Sequence, residues 1–458
     1  MRPQEKEFLE KPIGKLLWKQ SIPAMTGMFV ITLYNLADTI FVGRGVGTLA
    51  LAGVAVSLPL IMIIGALAQS FGLGFASIIS RALGANDYKK AHQALGNFFS
   101  VSFVASVPLI IFGIIFLRPI LKILGATPDI ISFAFEYARV VMFGAVFFVV
   151  ASGGNAIVRA FGDAKRAMIG MIIGAVINLI LDPVSIFVFH MGVAGIAWAT
   201  FIAWFCSSIY VAWCIFGGGR HLEIKKEDFK FKPALLKEGA YIGASSFARQ
   251  ASGSVMMVIL NISLAYYATE ISIAAFGIIL RLTMLVFMPI FGMLQGMQPI
   301  AGMNYGAGQI DRVKDVVRRT VKISTIFSGG AFLIMMLFPA QLIGIFSGDK
   351  ELLAVGKDLL RVFVLAYPLL GFQLAAGGYF QAVGHAGEAL FLSTLRQLIL
   401  LIPLMLILPL FFGLHGLYAS FPITDVFATV VTYFVFKRSF ARLHKPKPAE
   451  VPESIEMV

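Results

Sequence analysis

The feature that most limits how this chain can fold is a series of apolar runs, each long enough to cross a lipid bilayer. A membrane-spanning helix needs about 20 mostly apolar residues, and the sequence, with 59% hydrophobic residues, contains twelve such runs. They lie at residues 16–42, 49–80, 92–117, 130–158, 165–190, 192–216, 234–267, 271–302, 316–342, 352–383, 388–412 and 414–438. Hydrocarbon cannot satisfy exposed backbone polar groups, so each run must form a helix. The sequence therefore predicts an all-α polytopic membrane protein with twelve transmembrane helices.

The two halves of the chain resemble each other in sequence. A shift of 222 residues aligns Gly74 with Gly296 and Gly84 with Gly306, and the register holds through several helices. Such self-similarity indicates a duplicated unit. Because each unit has six helices, both repeats start on the same side of the membrane, which makes them parallel and relates them by a pseudo-twofold axis along the membrane normal. We expect two lobes with a central cleft between them.

The polar segments mark the boundaries of these lobes. One long polar interruption, 217–233, separates an N-terminal six-helix lobe, 1–216, from a C-terminal six-helix lobe, 234–438. We predict that this interruption is a cytoplasmic linker. The last residues, 439–458, are rich in Lys and Pro and then acidic, and we expect this tail to be disordered and cytoplasmic.

The basic residues are distributed unequally between the two sides of the membrane. Of the 37 Lys and Arg, 27 fall in the termini and loops of one side, whereas 7 fall in loops of the other side. Lys and Arg accumulate in cytoplasmic loops, so we predict a cell-membrane protein with both termini in the cytoplasm. The net charge of +13 follows from this topology, and we expect no nucleic-acid partner.

The sequence shows no sign of catalytic chemistry. Its two cysteines, Cys206 and Cys214, fall in one predicted helix and indicate neither a disulfide framework nor a metal site. No nucleophile–base pair, metal-ligand cluster or nucleotide-binding loop is recognisable. We therefore predict that the protein is not an enzyme and has no cofactor.

A few charged residues remain inside the predicted helices after the loop charges are set aside. Charge at membrane depth is costly, so each of these residues is a candidate for function. They are Asp38, Asp182, Asp425, Arg249, Arg281 and Arg396.

Two of these acids have an amide on the same helical face. Asn35 lies three residues before Asp38, and Asn178 lies four residues before Asp182. Pro183 cannot donate to the carbonyl of residue 179, so a backbone oxygen is freed beside Asp182. We predict an ion site built from these carboxylates and amides.

The chemistry of this site has two interpretations. Two carboxylates in an apolar environment repel each other, so a shared proton stabilises the pair. Carboxylate, amide and carbonyl oxygens also suit a hard cation, so Asp38, Asp182 and Asn178 form a possible Na⁺ site. The structural alternative is that each Asp merely caps or braces a helix near the membrane surface. The corresponding positions of the second half, Leu404 and the region of Ile262, carry no acid.

The remaining membrane-depth charges are candidates for the lining of the cleft. Asp425 could contact a cationic substrate, or it could form a buried ion pair with Arg281 or Arg396. Arg249, Arg281 and Arg396 could extend into a water-filled cleft, or pair with carbonyl groups or Asp425. Gln295, in the eighth predicted helix, is a further candidate for the cavity.

Several motifs together resemble the multidrug and toxic compound extrusion (MATE) family. They are Asp38 in the first predicted helix, Asn178 and Asp182-Pro183 in the fifth, Gln298-Pro299 followed by Asn304-Tyr305-Gly306-Ala307-Gly308 after the eighth, and Gly84-Ala85-Asn86-Asp87 in the first half. The resemblance covers about residues 12–438.

This resemblance implies a V-shaped pair of six-helix bundles that exports organic cations in exchange for H⁺ or Na⁺. Acids confined to the first lobe are similar to the prokaryotic branch named after the DNA-damage-inducible protein. By this similarity the ion site contains Asp38, Asn178 and Asp182 together with Thr200, Tyr137 and Asn155. The implied partners are the lipid bilayer and small-molecule drugs, and the expected state is a monomer.

Two rival functions remain open. A lipid-linked oligosaccharide flippase of the same superfamily would carry several cationic residues in its cavity to bind pyrophosphate, and often fourteen helices. An ion channel or scaffold would be expected to form a pore from identical subunits, whereas two divergent lobes with one acid pair favour a carrier.

Overall fold

The structure, a computed structural model, describes residues 3–217 and 225–443, and all regular secondary structure within these residues is helical. The helices before the linker are α1 (Pro3–Glu10), α2 (Ile13–Gly45), α3 (Thr48–Gly84), α4 (Tyr88–Ile115), α5 (Leu117–Ile123), α6 (Ile131–Ala160), α7 (Ala164–Pro183) and α8 (Gly192–Phe216). Those after the linker are α9 (Pro233–Tyr267), α10 (Glu270–Gly306), α11 (Ile310–Leu337), α12 (Pro339–Gly344), α13 (Lys350–Val364), α14 (Tyr367–Val383), α15 (Ala386–Thr394) and α16 (Ile402–Ala441).

The described residues contain the twelve predicted membrane crossings, some of them in irregular form. Nine helical stretches are long and apolar enough to span a membrane, and α13 with α14 makes a tenth that is bent by 45°. A further crossing is α9, which has 35 residues but a more polar sequence. The twelfth crossing arises because one of the nine stretches, Ala386–Ala441, contains two crossings separated by a break in the helix at Gly413. At this residue φ is 53° and ψ is −137°. The predicted all-α, two-lobed fold is confirmed.

Two π-helical segments occur in the described part of the chain. Val184–Val188 continues α7 directly after Pro183, and Leu395–Leu401 joins α15 to α16. Proline removes one hydrogen bond from a helix and displaces the carbonyl four residues earlier, and π turns accommodate such breaks. The irregular segment of this helix therefore begins directly after Pro183, beside Asp182.

The linker and the tail differ in part from the prediction. Residues 218–224 and 444–458 lie outside the described part of the chain. The second part of the linker forms a 3₁₀ turn at Lys226–Phe229 that docks on α4, where Ser100 Oγ donates to the Phe229 carbonyl at 2.7 Å. Residues 439–441, predicted as the start of a disordered tail, instead complete the last turn of α16, where Phe440 packs against Tyr379 and Phe436.

The two lobes contact each other through closely packed glycines. A Cβ on Gly84 would meet the carbonyl oxygen of Met303, and a Cβ on Gly306 would meet the carbonyl oxygen of Arg81. Gly84 and Gly306 are 222 residues apart, and so are Arg81 and Met303. This is the same shift that aligns the two repeats. Small residues allow backbones to approach in membrane helix pairs. The pseudo-twofold axis therefore passes between α3 and α10.

Polar contacts also join the lobes at the end of the bundle that carries most of the basic loops, which we call the basic end. Arg81 Nη2 donates to Glu238 Oε1 at 2.9 Å, and Lys90 Nζ lies 3.2 Å from Glu238 Oε2. Ser77 Oγ donates to the carbonyl oxygen of Gln381 at 2.7 Å. The lobes are thus in contact at the basic end.

Replacing Gly84 with Ala should destabilise the contact between the lobes. The added Cβ would overlap a backbone carbonyl of α10, which cannot move as a side chain can, and overpacking typically costs about 1–3 kcal/mol. The melting temperature of the purified protein in detergent measures this effect. Gly377→Ala is the matched control, because its Cβ would meet no atom within 4 Å. Equal melting temperatures for the two variants would contradict the proposed packing.

Candidate functional site

Two carboxylates from different helices meet inside the N-terminal lobe. Asp38 lies in the last third of α2, Asp182 lies at the end of α7, and these helices pack against each other. Their carboxyl groups are within hydrogen-bonding reach of each other. Asp182 has no exposed surface, and Asp38 is half-buried. The fold therefore brings together two acids that are 144 positions apart in the sequence.

Side chains from α6, α7 and α8 connect to this acid pair. Nδ2 of Asn178 donates to Asp182 Oδ1 and to Thr200 Oγ1, each at 3.3 Å. The hydroxyl group of Tyr137 lies near that of Thr200. Asn178 and Tyr137 are each 3% exposed. These contacts place both predicted hydroxyl residues and the amide beside the acids.

Three oxygen atoms of this group are buried without a hydrogen-bond partner within the described residues. They are Oδ1 of Asp38, Oδ2 of Asp182 and Oδ1 of Asn178. An unsatisfied buried polar atom costs about 1–3 kcal/mol, and more when it is charged. Acceptors without a donor are satisfied by a proton on one carboxylate or by a hard cation. The described residues contain no cluster of three His, Cys, Asp or Glu, so two carboxylates would neutralise any bound cation.

Tyr34 belongs to the same group, although no sequence motif singles it out. It lies four residues before Asp38 on α2 and interacts electrostatically with both Asp38 and Asp182. Residues four apart share a helical face. This spacing is the signal by which the sequence indicates Tyr34.

Two predicted members of the ion site make no contact with the acid pair, which corrects the sequence-based assignment. The side chain of Asn35 is exposed, and within the described chain it makes no hydrogen bond to Asp38. Asn155 donates to the carbonyl oxygen of Ala167 and accepts from Arg159. Ala167 precedes Asp182 by roughly 22 Å along α7, at about 1.5 Å per residue. Asn155 is therefore at the opposite end of the lobe from the acid pair.

The third membrane-depth acid forms an ion pair in the C-terminal lobe. Nε of Arg396 lies 2.6 Å from Oδ1 of Asp425, which is 2% exposed. The buried-pair interpretation of Asp425 is therefore the one that the structure shows, with Arg396 as the partner. Arg281 is exposed and, within the described residues, forms no ion pair.

A small cavity lies between the lobes. Its volume is about 20 Å³, enough for one water molecule. Gln295 lines this cavity with Arg159, Gln298 and Gln381. Its Nε2 lies 3.3 Å from the sulfur of Met28, and its Oε1 has no partner in the described chain. Gln295 thus lies between the lobes with unused hydrogen-bonding capacity.

These features define a class of protein: a polytopic membrane carrier with two parallel six-helix lobes and an acid pair confined to one of them. The family model described as MatE matches the chain twice, at residues 23–184 and 246–407. The two matches together cover more than half of the chain, and they correspond to the two repeats. The chain belongs to the MATE family of transporters.

Individual relatives are similar over nearly their whole length. The chain is 26% identical to a protein named FAD transporter from Shewanella oneidensis, covering 94% of this chain and 96% of that protein. It is also 26% identical to the multidrug export protein MepA of Staphylococcus aureus, with 93% and 94% covered. A solved structure described as the outward-facing conformation of a multidrug resistance MATE family transporter is 30% identical, with a TM-score of 0.89 and 96% and 98% covered.

Replacing Arg396 with Gln should destabilise the C-terminal lobe. The change leaves the Asp425 carboxylate buried without its charged partner, and breaking a buried pair from one side costs about 3–5 kcal/mol. Thermal unfolding in detergent provides the measurement. The double variant Arg396→Gln with Asp425→Asn should recover most of the loss, because two neutral amides can hydrogen-bond each other. A single variant as stable as the wild type would refute the structural role of this pair.

Proposed function

We propose that the protein is a secondary active efflux antiporter that exports organic compounds, including drugs, in exchange for H⁺ or Na⁺. The observation that carries this proposal is the set of three unpartnered oxygens at Asp38, Asp182 and Asn178. These atoms provide a binding site for a proton or a small hard cation, with Thr200, Tyr137 and Tyr34 beside it.

The exchange would operate by alternating access. The contacts at Arg81, Glu238 and Gln381 close the basic end of the cleft. If both termini are cytoplasmic, as the positive-inside rule indicates, this state faces outward. Similarity to the outward-facing relative supports the same orientation. In this state the ion would reach the acid pair from outside while bound substrate leaves.

Ion binding and substrate release are coupled if they favour different conformations. A proton or cation removes the repulsion between Asp38 and Asp182, which allows α2 and α7 to repack. Pro23 interrupts the hydrogen bonding of α2 and supplies a point at which this helix can bend. The expected result is a narrower substrate cavity in the ion-bound state. We expect a monomer to be sufficient, because each lobe supplies one wall of the cleft.

The names of the relatives support more than one class of substrate. One relative is named for multidrug export and another for FAD, so the family relationship supports both cationic drugs and anionic aromatic compounds. The lipid-linked oligosaccharide flippase is a weaker alternative. It requires a cluster of free cavity cations, whereas Arg396 is neutralised by Asp425.

Replacing Asp38 or Asp182 with Asn should abolish gradient-driven export. The amide is always neutral, so it neither takes up a proton nor supplies the negative charge that binds a cation. We expect the rate of ethidium efflux from proteoliposomes to fall by about 5- to 150-fold, the usual range for coupling between sites. Proton and sodium gradients imposed separately identify the coupling ion. Asp358→Asn is the control, because Asp358 is exposed on α13.

The assay requires that each variant is folded, which size-exclusion chromatography of the purified protein establishes. Unchanged efflux in folded Asp38→Asn and Asp182→Asn would refute the assigned ion site. Absence of efflux by the wild type under both gradients would refute the antiport of organic cations.

A further inference from the structure

Arg249 is a membrane-depth cation for which the described residues provide no carboxylate partner. It lies near the middle of α9, and its side chain is half-buried. Its guanidinium carbon is 5.9 Å from the ring centre of Phe291 on α10. Arg396, the comparable residue of the same lobe, has its carboxylate at 2.6 Å. Arg249 is therefore stabilised by an aromatic face but not neutralised.

The neighbours of this arginine lie against the N-terminal lobe. The next residue, Gln250, lies next to Gly65 of α3, and the hydroxyl of Ser254 is 3.8 Å from the sulfur of Met62. On the other helix, Gly292 follows Phe291 directly and contacts Met25 of α2. Both α9 and α10 thus face the N-terminal lobe at this depth. Arg249 and Phe291 therefore lie on helices that face the N-terminal lobe.

A charge in this position without a counter-charge is costly. A guanidinium group binds phosphate and carboxylate groups in a bidentate manner and stacks on flat rings. We propose that Arg249 and Phe291 form a substrate subsite for an aromatic molecule that carries a phosphate or carboxylate group. This inference rests on the proposed export function and names one class of substrate for it.

The subsite lies on a different lobe from the acid pair. An anionic substrate would be attracted to Arg249 and repelled by ionised Asp38 and Asp182, so the two binding sites would occupy opposite walls of the cleft. The coupling ion and the substrate would then communicate through the position of the lobes rather than by competition for one carboxylate. Cationic substrates would not need Arg249.

Two flavins provide a direct test because they share one ring system and differ by a phosphate. The experiment measures the affinity of purified protein for flavin mononucleotide and for riboflavin by flavin fluorescence, without any ion gradient. Wild type should bind the phosphorylated flavin at least about tenfold more tightly, the usual effect of a hydrogen-bonded charge. Arg249→Gln should remove this preference. Arg249→Lys should keep part of it, because the charge remains while the planar group is lost.

The matched control is Arg139→Gln in the N-terminal lobe. The guanidinium carbon of Arg139 also lies 5.9 Å from a phenylalanine ring, that of Phe135, but its side chain is exposed. This variant should leave the preference for phosphate unchanged. Equal affinity of the wild type for the two flavins, or an unchanged preference in Arg249→Gln, would overturn the proposal. If Arg249→Gln does not fold, the test is the preference for flavin mononucleotide over riboflavin in the wild type and in Arg249→Lys.

The phosphate group that binds Arg249 could also belong to a lipid headgroup. One further experiment distinguishes a lipid from a soluble substrate. Protein in nanodiscs of phosphatidylcholine is compared with protein in nanodiscs that contain phosphatidylglycerol. Weaker flavin mononucleotide binding with the anionic lipid, lost in Arg249→Gln, identifies a lipid phosphate as an occupant of the same subsite. Unchanged binding assigns the subsite to soluble substrates. Since no gradient is used, failure here is distinct from failure of ion-coupled export.

Discussion

The cost of holding charge at membrane depth determines most of the polar structure of this protein. Asp425 is neutralised by Arg396, and Arg159, which is 9% exposed, uses the amide oxygen of Asn155. Asp38 and Asp182 differ because the nearest charged group of each is another acid. Their interaction favours a proton or cation between them, so the least satisfied group in the N-terminal lobe is also the best candidate for function.

The contact between the lobes depends on a second physical constraint, the close approach of backbones. Gly84 and Gly306 occupy equivalent positions in the two repeats, and each faces a carbonyl of the other lobe. Buried apolar side chains of both lobes, among them Leu83 and Met303, pack around this contact. The polar contacts of Arg81 with Glu238 and of Ser77 with Gln381 add directional specificity to it. Contacts of this kind would exchange with water if the lobes separated, as the proposed alternating access requires.

Apolar runs and isolated charges were sufficient to predict the helices and the acid pair, because both are visible as deviations from local composition. The partner of Asp425 was not predictable in this way. Arg281 and Arg396 both lie in neighbouring helices, and only the packing of the bundle selects Arg396. The rotation of α2 places Asp38 against α7 and leaves Asn35 exposed. The resemblance assigned Asn155 to the ion site, but this residue lies one turn from Arg159, at the basic end of the lobe.

The distribution of unpaired charge over the two lobes has a consequence for coupling. The N-terminal lobe holds excess negative charge at Asp38 and Asp182, whereas the C-terminal lobe presents Arg249 without a described carboxylate partner. A coupling cation and an anionic substrate group would each neutralise a different lobe. Binding either one weakens the electrostatic attraction between the lobes, because the cation removes negative charge from one lobe and the anionic group removes positive charge from the other. Ion and substrate would therefore act on the same interaction between the lobes without sharing a residue, so that binding of one changes the free energy of binding the other.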